Sequence, residues 1–149
     1  MEDLTLDHGT KGRDWPFFPD AELASPDVGW ACMYEPFMRR LVTLREMYGK
    51  PVRISSGYRT VRHHHDIYQK LGRTPPGASP HLFGCAVDVA VEGAAAYEVG
   101  RLAFMLGFTG ILVNQPFGVR HGNFIHLDYI TGADVPDRLK NARPAFKSY

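Results

Sequence analysis

Two histidines and an aspartate, set in two short apolar runs, constrain this chain more than anything else in it. His81 and Asp88 lie seven residues apart in Ser79-Pro80-His81-Leu82-Phe83-Gly84-Cys85-Ala86-Val87-Asp88, and His126 stands downstream in Phe124-Ile125-His126-Leu127-Asp128. The apolar residues Ala86, Val87 and Val89 alternate as in a short buried strand beginning near Gly84, which would hold Asp88 rigidly. From Asn123 to Tyr129 the two-residue strand period puts Phe124, His126 and Asp128 on one face and Ile125, Leu127 and Tyr129 on the other. Ile125 and Leu127 can then anchor a core while His126 faces a cleft. Any one of these histidines, taken alone, is most simply read as satisfying a local hydrogen bond. The set reads as a metal site, because hydrolytic zinc takes three protein ligands, here two imidazoles and a carboxylate, and leaves the fourth tetrahedral position to water.

Arg59 carries a second argument. It follows Ser55-Ser56-Gly57-Tyr58 and the β-prone run from Pro51 to Ser55. A guanidinium there is always charged and offers a planar fork of donors, suited to a substrate carboxylate or to an oxygen that becomes negative during attack. The plainer alternative is a surface arginine capping the next helix.

The residues Ser79, His81, Gly84, Ala86, Asp88 and His126 match the pattern Ser-x-His-x-x-Gly-x-Ala-x-Asp followed by His, and Ser56-Gly57-Tyr58-Arg59 matches a preceding Ser-Gly-Tyr-Arg element. On these motifs the chain resembles the zinc D-alanyl-D-alanine carboxypeptidases and their relatives, which cleave peptidoglycan peptides and share a metal fold with lysostaphin-type enzymes and the hedgehog signalling domain. It is most similar to their small stand-alone form in bacteriophage and prophage genomes, from Phe37 to Arg45 and Tyr48-Gly49, through Ala96-Tyr97 to Gly107-Phe108-Thr109-Gly110, and at Arg143-Pro144 and Ser148-Tyr149. The resemblance implies one zinc ion held by His81, Asp88 and His126, with peptidoglycan stem peptides as substrate. It groups Arg59, Ser79 and His63 as substrate-binding, His63 either touching substrate or bracing Arg59. Two positions depart from the pattern. Asn123 stands where many relatives place Glu or Asp, three residues before the last ligand, and Lys147 replaces a tryptophan.

Asn123 cannot titrate, so the proton acceptor is sought elsewhere. His121 lies in the loop Arg120-His121-Gly122 and titrates near neutrality without tuning. Asp128 shares the predicted face of His126 and would serve either as base or in the quieter role of orienting that imidazole. His121 is the narrow preference. The triplet His63-His64-His65 is no second metal site, since consecutive residues on a helix do not share a face. It reads as a polar helix start with Thr60 as N-cap and Ile67, Tyr68 and Leu71 as the apolar side.

The expected fold is α+β, a small antiparallel sheet carrying the zinc site with helices packed on one side. Helices are predicted from Asp27 onward through Tyr48, with Pro36 in the first turn or marking the true start, from Val61 to Leu71, and from Ala94 to Leu106. A strand is predicted over Gly110 to Asn114, and Met33, Met38 and Met47 are taken as core. Residues 1–149 read as a single domain, with 1–20 an extended arm whose aromatics Trp15, Phe17 and Phe18 pack back, and 132–149 a wrapping tail tethered by Phe146 and Tyr149. His8 in that arm is most simply a solvated side chain. Cys32 and Cys85 are too few for a disulfide framework and read as buried small hydrophobes.

A formal net charge of +1 argues against a dedicated nucleic-acid binder. No signal peptide or membrane-spanning run is read in the chain, so membrane insertion is not expected. Synthesis in a host cytoplasm is expected, with action at the bacterial wall after lysis or as part of a phage particle; oligomeric state is left open. The alternatives are a non-catalytic zinc-containing binding or structural module of such a particle and a globular protein with no metal.

Overall fold

The computed structural model describes residues 10–76, 79–116 and 122–130 together with the backbone strand 146–148. His8, His121, Tyr149, the first nine residues of the expected arm and the 132–145 part of the expected tail lie outside the described residues. The architecture is α+β. Strands β1 (Thr10–Lys11) and β2 (Cys32–Met33) form a small antiparallel pair, and helix α1 (Asp20–Leu23) lies between them in sequence. These three short elements carry too few residues for a periodic signal and were not expected.

The main sheet has the order β3-β4-β6-β5-β7, built from β3 (Ile54–Ser56), β4 (Ala86–Val89), β5 (Gly110–Asn114), β6 (Phe124–Asp128) and β7 (Phe146–Ser148). Its first four strands pair antiparallel, and β7 adds to the edge of β5 in parallel. The register sets Asp88 and Leu112 on either side of His126. The odd-numbered residues Val87, Val89, Ile111, Ile125 and Leu127 face the core, each at most 1% exposed.

That core is closed by α2 (Glu35–Tyr48) and α4 (Gly93–Met105). Helix α2 buries Phe37, Met38, Leu41 and Leu44, the recurrence expected of one helical face, and has Pro36 in its first turn. Gly49, in the left-handed conformation, ends it with its N–H on the Arg45 carbonyl. Helix α4 supplies Ala96, Val99, Leu102 and Ala103, and Phe37 meets Phe108 edge to face. Of the three methionines assigned to the core, Met33 and Met38 are buried, but Met47 is 49% exposed because it sits off the buried stripe of α2.

Helix α3 (Val61–Lys70) begins as expected, with the Thr60 hydroxyl accepting from the His63 N–H. Its inward side is the expected face, with Ile67 and Tyr68 half-buried, but its most buried member is polar and its last one is not covered. His64 is the buried residue of this helix, whereas Leu71, at the C-cap where the chain turns away, is 60% exposed.

His81 rides on a single 3-10 turn, Pro80–Phe83, that ends at Gly84. Gly84 has φ 66°, and a Cβ there would run into the Cys32 carbonyl and the Met33 backbone, while its own carbonyl accepts from the Tyr34 N–H. Left-handed strain and a backbone collision act together, so Gly84→Ala is expected to destabilise the fold by at least about 3 kcal/mol, read as a lowered denaturation midpoint. No helix among the described residues is long and apolar enough to cross a membrane.

Candidate metal centre

Strands β4 and β6 run antiparallel with Asp88 directly opposite His126, which brings their side chains together on the face turned away from α2 and α4. The 3-10 turn delivers His81 to the same place, so that one ligand atom from each of the three residues lies within 4.8 Å of the others. Asp88 Oδ1 stands 3.3 Å from His81 Nε2 and 3.0 Å from His126 Nδ1. His81 and Asp88 are buried and His126 is nearly so.

The hydrogen bonds behind these atoms decide which nitrogen each imidazole presents. His81 Nδ1 lies 2.7 Å from the Gly57 carbonyl, which can only accept, so Nδ1 carries the hydrogen. Burial holds the His81 pKa below its ordinary value against the pull of Asp88, so the ring is neutral and Nε2 points a lone pair at the carboxylate. Two lone-pair-bearing atoms at this distance are a donor set made for a cation. Burial would push the Asp88 carboxyl up, but the charged His126 imidazole, donating from Nδ1, outweighs it and holds the carboxyl far below the usual carboxylate range. Asp88 is therefore ionised at any working pH.

His126 is held from behind by Asp128, whose Oδ2 lies 2.8 Å from Nε2. Asp128 is 0% exposed, also accepts from the Thr109 hydroxyl, and does not line the cleft described below. Its geometry therefore suits the orienting role rather than that of a base facing substrate. Gly110 pairs with Asp128 across the sheet, and a Cβ at Gly110 would overlap that carboxylate, so the glycine makes room for it. Burial pulls the His126 pKa down, but hydrogen bonds to Asp128 and Asp88 outweigh it and push it up to about 9. Asp128→Asn removes the anion that makes His126 a strong donor, and metal affinity measured by chelator competition at pH 8 is expected to fall about 10–100-fold.

A cleft of about 220 Å³ lies over these ligands, with Arg59 and Ser79 among its lining residues. Arg59 is tied down by Nε to the Ser56 hydroxyl at 3.1 Å and by Nη2 to Asp88 Oδ2 at 3.4 Å. It thus steadies the oxygen of Asp88 that does not face the histidines. Ser79 is buried at the start of the 3-10 turn. His63 does not line the cleft; it lies beside Thr60, within the electrostatic influence of Asp27 and Arg59. Tyr68, Leu112 and Phe124 complete the lining and were missed from sequence. The strand parity that puts Phe124 with His126 was legible, but placing Leu112 beside them needs the β5–β6 register.

Cys85 is fully buried with its thiol pKa pushed up by burial, and it is not part of the ligand group. Asn123 reaches toward Glu92, donating from Nδ2 to Oε2 at 3.4 Å, and does not line the cleft.

Two imidazoles and a carboxylate that could hold a metal ion thus meet under a cleft on one face of the sheet of an α+β fold. The family described as Peptidase M15 matches residues 24–128, most of the chain, and the chain belongs to that family. No curated protein matches it.

Proposed function

We propose that this chain is a zinc peptidase that hydrolyses a peptide bond next to a D-amino acid in peptidoglycan stem peptides. The observation that carries the reading is the convergence of His81 Nε2, His126 Nδ1 and Asp88 Oδ1 beneath a cleft that also holds Arg59. These three residues would hold the ion, and two of them are already backed by acceptors, Gly57 O and Asp128, in the manner of metal-ligating histidines. When bound, zinc supplies a Lewis acid and a water acidified to near neutrality.

The protein side chains do the rest. Arg59 holds the substrate's carboxylate or carbonyl oxygen, and the anchors on Ser56 and Asp88 fix its fork in advance. Ser79 contributes a polar group at the cleft wall, and His63, at the start of α3, braces Arg59. Proton transfer to the leaving amine falls to His121, with Asp128 keeping His126 in the right tautomer. Carboxypeptidase and endopeptidase modes both fit this machinery. The site of action is the bacterial wall, reached after lysis or within a phage particle.

A second reading, a non-catalytic zinc-containing binding module, is favoured by one feature: Asn123, where relatives place an acid, is an amide turned to Glu92. Incubating the purified chain with defined wall fragments, with and without added zinc, and identifying products by mass separates the two. Zinc-dependent cleavage is expected; zinc uptake with intact fragments would establish the binding module instead.

A further inference from the structure

The cleft wall formed by α3 contains a group that the reading above leaves idle. Tyr68 lies one helical turn after His64, and their rings pack with centroids 4.9 Å apart. His64 is 1% exposed, so the tyrosine rests on an immobile base. The start of α3 is equally fixed, because Thr60 both caps the helix and donates to Asp27 Oδ2 at 2.6 Å. Tyr68 thereby reaches the cleft as a prearranged side chain, in the same lining as Arg59.

Arg59 spends Nε on Ser56 and Nη2 on Asp88, which leaves Nη1 as the nitrogen not committed among the described residues. A carboxylate has two oxygens, and one nitrogen of a half-engaged fork serves only one of them well. We propose that the Tyr68 hydroxyl supplies the second donor, so that Arg59 and Tyr68 together bind the free C-terminal carboxylate of the substrate and make Tyr68 a determinant of carboxypeptidase specificity. The cleft suits the rest of such a residue, since Leu112 and Phe124 offer apolar surface for a small side chain. This inference rests on the proposed peptidase function, but a binding measurement tests it independently of turnover.

The probes are N-acetyl-D-alanine and its uncharged amide, titrated calorimetrically into the zinc-loaded wild-type chain and into Tyr68→Phe. A hydrogen bond to a charged acceptor corresponds to about a tenfold or larger change in affinity. The acid is expected to bind wild type better than the amide does, and Tyr68→Phe to weaken the acid at least about tenfold while leaving the amide and the zinc content unchanged. Unchanged acid affinity, equal losses for acid and amide, or no preference for the acid in wild type would each overturn the proposal. Tyr68→Leu, carried in parallel with a thermal melt, is expected to show the same selective loss and guards against a folding defect in one variant. If the binding pattern holds and wall fragments stay uncut, the carboxylate site survives and the hydrolase reading alone fails.

Discussion

Asp88→Ala is expected to abolish stoichiometric zinc binding and to lower turnover on wall fragments by a factor on the order of 10³ or more. The size follows from what the carboxylate touches: His81 Nε2, His126 Nδ1 and Arg59 Nη2 all point at it. Without it a three-ligand site becomes a two-ligand one, and several kcal/mol of transition-state stabilisation by the metal vanish with the ion, each 1.36 kcal/mol being about tenfold in rate. The fold suffers as well, because the Arg59 guanidinium is only 13% exposed and loses its counter-charge, a change worth about 3 kcal/mol when a buried pair is broken from one side. Asp88→Asn separates shape from charge. It keeps the volume, and it too is expected to lose zinc by elemental analysis. Turnover retained in either variant would remove Asp88 from the centre of the chemistry.

The parts of this site legible in sequence are those whose geometry is local. Alternation along Phe124–Asp128 places His126 and Asp128 on one face because a strand has no other choice, and the same period carries Asp88 within β4. Helices α2, α3 and α4 announce themselves through caps and apolar recurrence, with Thr60, Gly49 and Gly107 as punctuation. What escaped depends on contacts between distant segments. Leu112 faces the cleft only because β5 pairs with β6 in a register that sets it opposite His126. Tyr68 read as part of an apolar stripe because the burial of His64, a polar residue one turn earlier, is decided by tertiary packing. Gly110 looks like an ordinary strand start until the Asp128 carboxylate is found where its Cβ would be. The parallel strand β7 pairs across a long stretch of chain, and its three residues carry no signal of where they dock.

Zinc affinity is expected to fall about tenfold for each pH unit below about 9, so that the dissociation constant rises about 100-fold between pH 8 and pH 6. The sign follows from the three ligands taken one at a time. Asp88 is ionised across this range, since its carboxyl is held far below the ordinary value, and His81 is neutral, since burial depresses its pKa; neither has a proton to give up. His126 does: without metal it sits between two carboxylates with its pKa raised to about 9, and Nδ1 carries the proton that the ion must displace. Lowering the pH strengthens that competition, so affinity drops as acidity rises. Calorimetry at pH 7 in buffers of different ionisation enthalpy is expected to show release of about one proton per zinc bound. Asp128→Asn supplies the internal check. Because the Asp128 hydrogen bond is the largest influence raising His126, the variant's zinc affinity levels off at a lower pH, and its deficit relative to wild type is greatest at pH 8 and narrows toward pH 6. A pH-independent affinity, or a deficit that stays constant over this range, would mean that His126 does not reach the metal through a nitrogen shared with Asp88.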